Sequence, residues 1–402
     1  MIKIGVVREG KVPTDNRVPF SPEKIIELKA KHPKLDFIVQ PSDVRCYSNE
    51  AYAEKGIEVQ EDLSTCDYLF GVKEVRLDDF IPGKPYFFFS HTKKAQPYNK
   101  PLMKKMIAEN VRMIDYECLT HKSGDRILGF GYWAGVVGAH NGLLTYGKKY
   151  ERFELPAAHS VENYDALKKH YAAVNWPAMK IALTGGGRVA SGVLEIMKAC
   201  GFQEVDRDSY MRDSFDKPVF VHLDIEHLYA RMDDSSFERD DFFKNPQDYT
   251  CLFKPFTRVT DTMMNGIYWD TKIPPHFKKE DIQDERYKMN VISDITCDAD
   301  GSIPINLGAS TIPDPVYGID KKTFERAAAF QNTDDIIDLM TVDNLPSELP
   351  TDASEHFGEM LGEYIIPEIL LQDRSEILED ATICENGELK EQFAYLKDYA
   401  FG

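Results

Sequence analysis

No stretch of this 402-residue chain approaches the ~18 consecutive apolar residues of a membrane-spanning helix, so no membrane span is expected. The start, Met1-Ile-Lys-Ile-Gly-Val-Val7, lacks the long apolar run and small-residue cleavage site of a secretion signal. It reads as a strand and predicts a cytoplasmic chain. Close cysteine pairs are missing as well. The seven cysteines, at 46, 66, 118, 200, 251, 297 and 384, are scattered and odd in number, which argues against both a disulfide framework and a zinc site; no metal is expected. Cations are outnumbered by acids, 48 to 67, for a net charge of −19. That balance argues against nucleic acid as a partner, but a local basic pocket can exist on an acidic protein. Internal repeats and low-complexity segments are also absent.

What is present is enough apolar residue, 43%, for the cores of two or three domains. Residues 2–7, 36–40, 67–72, 87–90 and 113–116 read as strands. Ser21-Pro22-Glu23 is a helix start, with an N-cap hydroxyl and a first-turn proline. Strands alternating with helices imply an α/β unit. Residues 129–147 change texture: Gly129, Gly131, Gly135, Gly138 and Gly142 recur among apolar residues and predict a tightly packed helix leaving the first unit for a second. Residues 202–206, 219–224, 290–294 and 340–343 read as further strands, and 231–250, charged and poor in aliphatics, as a surface excursion. A long helix is expected from Asp352, with Glu355 completing a capping box and Pro367 kinking it.

The chemistry centres on mid-chain. Strand 179–184 runs into Gly185-Gly-Gly187-Arg188-Val189-Ala190 and then into helical register. Strand, glycine turn and helix together cradle a dinucleotide pyrophosphate: Gly185 permits the turn, Gly187 lets backbone approach the phosphates, and the helix N-terminus faces them. Asp206, about 20 residues on, fits the ribose hydroxyls, whereas Arg207 fits a 2′-phosphate, so NAD and NADP both stay open.

A second cluster lies near the start, where Lys11 and Arg17 occupy loops after a strand and suit carboxylates. A third comprises Lys73, beside Glu74, and His91, each at the end of an apolar strand, an arrangement that can serve proton transfer. The acids Asp294, Asp298 and Asp300 lack EF-hand spacing and suit the carboxyl edge of a sheet.

These segments resemble one family. They are Asn16-Arg17-Val-Pro-Phe-Ser-Pro22, Gly71-Val-Lys73-Glu74, Phe130-Gly-Tyr-Trp-Ala-Gly135, Asn265-Gly-Ile-Tyr-Trp269, Asp294-Ile-Thr-Cys-Asp298, Gly301-Ser-Ile303 and Val342-Asp-Asn-Leu-Pro346, followed by Leu349-Pro350 and Ala353-Ser354-Glu355. They are similar to the lysine-forming saccharopine dehydrogenases, above all the lysine–2-oxoglutarate reductase half of aminoadipic semialdehyde synthases, in the alanine dehydrogenase/transhydrogenase superfamily.

The resemblance implies an NAD(P)-dependent oxidoreductase that condenses L-lysine with 2-oxoglutarate to saccharopine, or the reverse. It makes Lys73 and His91 the acid–base pair. Arg17 and Arg126 become carboxylate anchors, with Glu74 and Glu117 as acids near the pair. Asn265, Ile267, Tyr268, Asp298 and Leu345 fall on the nicotinamide side. The implied fold is α/β, with two Rossmann-like domains, parallel sheets, a cleft between them and a C-terminal helix returning to the first domain. The expected limits are 1–135 plus 350–402 for the substrate domain and 136–349 for the dinucleotide domain. An alanine dehydrogenase, a carboxyalkyl amino acid synthase and a non-catalytic nicotinamide-binding regulator stand as alternatives.

Overall fold

The computed structural model describes residues 1–371 and 375–402. The chain forms two compact units, Met1–Phe130 with Pro350–Gly402, and Gly131–Leu349. Each is an α/β unit built on an eight-stranded, mostly parallel sheet.

The first unit contains β1 (Ile2–Val6), β2 (Leu35–Val39), β3 (Glu58–Val59), β4 (Tyr68–Phe70), β5 (Pro85–Phe88) and β6 (Arg112–Asp115), all parallel, in the order β6-β5-β4-β1-β2-β3. Strands buried on both faces read as apolar runs; Tyr86, Phe87 and Phe88 are fully buried. The Phe70 and Phe87 rings stack 4.3 Å apart, and Phe20 meets Phe37 and Phe70 edge-on. The Ser21 hydroxyl accepts from Lys24 N and caps helix Pro22–Lys31.

The C-terminal segment completes this sheet. Thr382–Glu385 adds antiparallel to β6, and a tight turn through Asn386 and Gly387, both at positive φ, leads into Glu388–Leu389. The long helix expected from Asp352 begins at Pro350, so Asp352 sits in its first turn and is not its cap. It runs to Met360, passes through a wide π turn over Leu361–Ile365 and resumes as Ile366–Leu370. Pro367 has no N–H to donate one turn back and its ring needs room there; the widened turn supplies that room, so the distortion precedes the proline.

In the second unit, β7 (Lys180–Thr184) is flanked by β9 (Val219–Leu223), while β8 (Gln203–Glu204) lies outside β9 at the edge. On the other side of β7 follow Thr262–Asn265, Val291–Asp294 and Ile336–Met340, all parallel, then antiparallel Val316–Asp320 and Arg326–Ala327. Three expectations change here. Residues 202–206 do not form the strand beside β7: only Gln203–Glu204 pairs, and both side chains are exposed, so the apolar Val219–Leu223 takes the interior place. The last parallel strand is Ile336–Met340, leaving Asp343 outside it. Residues 231–250 are not a bare excursion. Hairpin Tyr229–Arg231 with Tyr249–Cys251 and helix Arg239–Lys244 bury Phe242 and Tyr249, so aromatics supply the packing that aliphatics do not.

The glycine-rich helix is Gly131–Tyr150, and it packs on helix Arg188–Ala199. A Cβ built on Gly135 would stand 1.9 Å from the Val189 carbonyl oxygen, and one on Gly192 would stand 2.0 Å from the Tyr132 oxygen. Only glycine permits this approach of backbones.

Candidate functional site

In the first unit the polar side chains gather at the carboxyl ends of β1, β4, β5 and β6, the edge where open α/β sheets bind ligands. Lys73 follows β4 and His91 follows β5, and these two strands are neighbours. The Lys73 Nζ lies 5.6 Å from the centre of the Phe89 ring, and the His91 ring stacks 6.2 Å from the same ring. Phe89 is buried and packs on Tyr116, Phe130 and Phe357, so the two groups share one aromatic wall.

His91 has a left-handed backbone, φ 54°, and its Nδ1 stands 3.6 Å from Glu117 Oε2. Arg126 Nη2 donates to Glu117 Oε1 at 2.9 Å. Burial pushes the Glu117 carboxyl up, but His91, Arg126, Lys93 and Lys94 together hold it down at about 2. Glu117 therefore stays ionised and orients both His91 and Arg126. Below it, fully buried Asp115 accepts from Ser90 N and Oγ and from Glu117 N, which pins the ends of β5 and β6 together.

Arg17 and Asp15, both buried, form a bidentate pair, and the Arg17 guanidinium lies 4.0 Å from the centre of the Phe130 ring. Arg17 is thus held rigidly in the aromatic wall. Lys11 Nζ pairs with Glu74 Oε1 at 2.9 Å.

One residue here escaped the sequence reading. Glu9, after β1, accepts the backbone N–H groups of Lys73 at 2.8 Å and Glu74 at 2.6 Å, and also those of Gly10 and Lys11. Burial raises its carboxyl to about 7 against the pull of these donors. Glu9 fixes the loop that carries Lys73. A lone acid in a charged loop gave no sequence signal for this, because its partners lie 64 and 65 positions away.

In the second unit the glycine turn follows β7. Gly185 has φ +101°, and a Cβ there would stand 2.5 Å from the Gly266 oxygen. Gly187 caps helix Arg188–Ala199, and a Cβ on it would meet nothing within 4 Å, so this side is open. Arg188 is exposed at the first helical position, while Val189 packs on Gly266.

The acid beside the turn is Asp224, at the end of β9. A Cβ on Gly186 would stand 2.3 Å from Asp224 Oδ2. Asp224 also accepts from Ile225 N at 2.7 Å and Arg239 Nη2 at 3.2 Å. Asp206 lies elsewhere, exposed, capping the short helix Arg207–Arg212 through Ser209 N, and Arg207 is exposed on that helix.

Of the expected nicotinamide-side residues, Asn265, Ile267 and Leu345 are buried, whereas Tyr268 and Asp298 are exposed. The Asn265 amide is engaged internally by Thr184, His276, Asp294 and Ser302. Asp294 is likewise buried, accepting from Asn265, Thr296 and Asn306, so it ties strand ends together and does not face outward. Among the described residues no group of His, Cys, Asp and Glu has the arrangement to hold a metal ion. No described helix is long and apolar enough to cross a membrane.

Comparison with known proteins gives a consistent picture. The family "Alanine dehydrogenase/PNT, N-terminal domain" matches residues 5–137. The mouse mitochondrial alpha-aminoadipic semialdehyde synthase is 29% identical over 95% of this chain and 46% of its own length. The Yarrowia lipolytica saccharopine dehydrogenase [NAD(+), L-lysine-forming] is 25% identical over 81% of this chain and 82% of its own. The chain thus spans about half the length of the semialdehyde synthases it matches, and most of the Yarrowia lipolytica protein. In fold, an L-alanine dehydrogenase superposes with a TM-score of 0.66 at 14% identity, over 99% of this chain and 100% of the other. Residues 5–137 thus match the alanine dehydrogenase/PNT N-terminal domain, in a chain similar over most of its length to aminoadipic semialdehyde synthases and lysine-forming saccharopine dehydrogenases.

Proposed function

We propose that the chain is an NAD(P)-dependent oxidoreductase acting on a CH–NH bond, joining L-lysine and 2-oxoglutarate to saccharopine or running the reverse. The observation that carries the reading is the placement of Lys73 and His91 at the ends of adjacent strands against one buried ring. Its relatives bear the matching names.

The glycine turn fits a dinucleotide. Gly185 adopts the positive φ that the turn requires, and Gly186 leaves just enough room for the Asp224 carboxylate. Gly185, Gly187, Arg188 and the N-terminus of helix Arg188–Ala199 would hold the pyrophosphate. Asp224, rather than Asp206, would meet the ribose. When bound, a reduced nicotinamide supplies hydride to a C=N carbon.

The chain's own residues do the rest. Both substrates are carboxylates, so binding them needs cations; Arg17 and Arg126 would anchor them, with Lys11 nearby. Condensation needs the amine deprotonated, a proton placed on the departing hydroxyl, and a general acid–base pair working near neutral pH. Lys73 and His91 would divide these transfers. Glu117 would orient His91, and Glu9 would hold the backbone of Lys73.

The test follows reduced-nicotinamide absorbance with a panel of amines and oxo acids. Oxidation dependent on L-lysine with 2-oxoglutarate is expected. Activity with alanine and oxidised cofactor alone would move the assignment to an alanine dehydrogenase, and cofactor binding with no turnover on any pair would indicate a regulator. Lys73→Met should keep cofactor binding and lose most turnover.

A further inference from the structure

The strand beside β7 ends next to the glycine turn. Thr184 of β7 is level with Leu223 of β9, and Gly185 N donates to the Leu223 oxygen at 2.9 Å. Asp224 follows, and a Cβ on Gly186 would strike both of its carboxylate oxygens. The residue is fixed on each side. Its Oδ1 accepts from Ile225 N at 2.7 Å and caps the short helix Ile225–Leu228, while the Asp224 N–H donates to His227 Nδ1 at 3.2 Å. Its Oδ2 faces Arg239 Nη2, 3.2 Å away.

Arg239 comes from outside the sheet, on helix Arg239–Lys244. Residues four apart share a helix face. On this one Arg239 reaches Asp224, and the Phe243 ring lies 6.1 Å from that of Tyr268, in the loop after Thr262–Asn265, the other neighbour of β7. The two contacts tie the helix to the loops leaving both strands that flank β7, which keeps the guanidinium at the carboxylate.

Charge decides what such a pair selects. Residues 224–241 contain seven acids and two arginines, and Arg231 is engaged by Asp233 and Asp241. A ribose diol is neutral and has donors for a fixed carboxylate. A 2′-phosphate carries roughly 1.5 to 2 negative charges near pH 7, so Asp224 repels it, and reaching Arg239 means breaking an ion pair already made.

We propose that Asp224 and Arg239 set the choice of cofactor, selecting NAD(H) against NADP(H). Asp224 carries the preference, and Arg239 is the group that would take a phosphate if Asp224 were gone. The inference rests on the dinucleotide reading of the glycine turn, and not on which amine or oxo acid reacts.

The test is fluorescence titration of the full chain with NADH and with NADPH, without substrates. NADH is expected to bind at least about tenfold more tightly. Asp224→Ser keeps a capping oxygen and removes the charge. It should weaken NADH, strengthen NADPH and so reverse the order, and adding Arg239→Ala should abolish the gain for NADPH. The wild-type comparison reports even if a variant fails to fold. Equal binding of the two cofactors, tighter NADPH, or an unchanged ratio in Asp224→Ser would overturn the selectivity and leave the dinucleotide site standing. Binding of neither cofactor would overturn both.

Discussion

The Asp224 carboxylate sits where a Cβ on Gly186 would be, with one oxygen on Ile225 N and the other facing Arg239. A ribose diol reaching this point has an acceptor at once, and a 2′-phosphate has Arg239 once the carboxylate releases it. Asp206 has neither neighbour. Asp224→Ala is therefore expected to weaken nicotinamide dinucleotide binding about tenfold or more, and Asp206→Ala to leave it unchanged, both read by fluorescence titration of reduced cofactor. Equal losses in the two variants would remove Asp224 from this role.

Glu117 makes a second residue-scale prediction. Its folded-state carboxyl is depressed to about 2 from an ordinary 4.5. The unfolded chain therefore takes up this proton first as pH falls, and the stability Glu117 contributes above 4.5 is lost as pH drops toward 2. Glu117→Gln should flatten that part of the stability profile in urea melts between pH 6 and about 2.5; an unchanged acid limb would contradict the ion-pair account.

Among the elements, the two glycine-lined helices carry the firmest packing argument. The atom facing Gly135 is the backbone oxygen of Val189, which cannot rotate aside as a side chain would. Gly135→Ala should cost about 1–3 kcal/mol and displace the start of helix Arg188–Ala199. A lowered Tm together with weaker cofactor binding is expected, while an unchanged Tm would mean that the helices separate freely.

The element scale also explains what was legible in the sequence. Strands β1, β4, β5 and β7, the Ser21 cap and the glycine turn are local patterns of apolar runs, caps and turns, and each is read directly from neighbouring residues. The place of β9 beside β7 is not local. The strand next in sequence, β8, is two exposed residues long, and a lateral order set by burial leaves no mark on spacing. Asp224 was missed for that reason. Likewise, Glu9 works through partners in the loop after β4, and the packing of 231–250 rests on aromatics within a charged stretch.

At the scale of the whole molecule, an acidic chain of net charge −19 places Arg17, Lys11, Lys73, His91 and Arg126 at one sheet edge. The carboxylates that accompany them are spent on orienting this set: Asp15 holds Arg17, Glu74 meets Lys11, and Glu117 meets Arg126 and His91. Guanidinium and ammonium groups oriented in this way suit small carboxylates, the chemistry that the proposed oxo acid would present.

The measurement that tests the central claim most directly is the initial rate of reduced-nicotinamide oxidation as L-lysine and 2-oxoglutarate are varied together and singly, with the product identified by mass. The account predicts oxidation only when both are present, a product with the mass of saccharopine, and loss of most of that rate in Lys73→Met. A rate that persists with either substrate omitted, or one that Lys73→Met leaves intact, would contradict it.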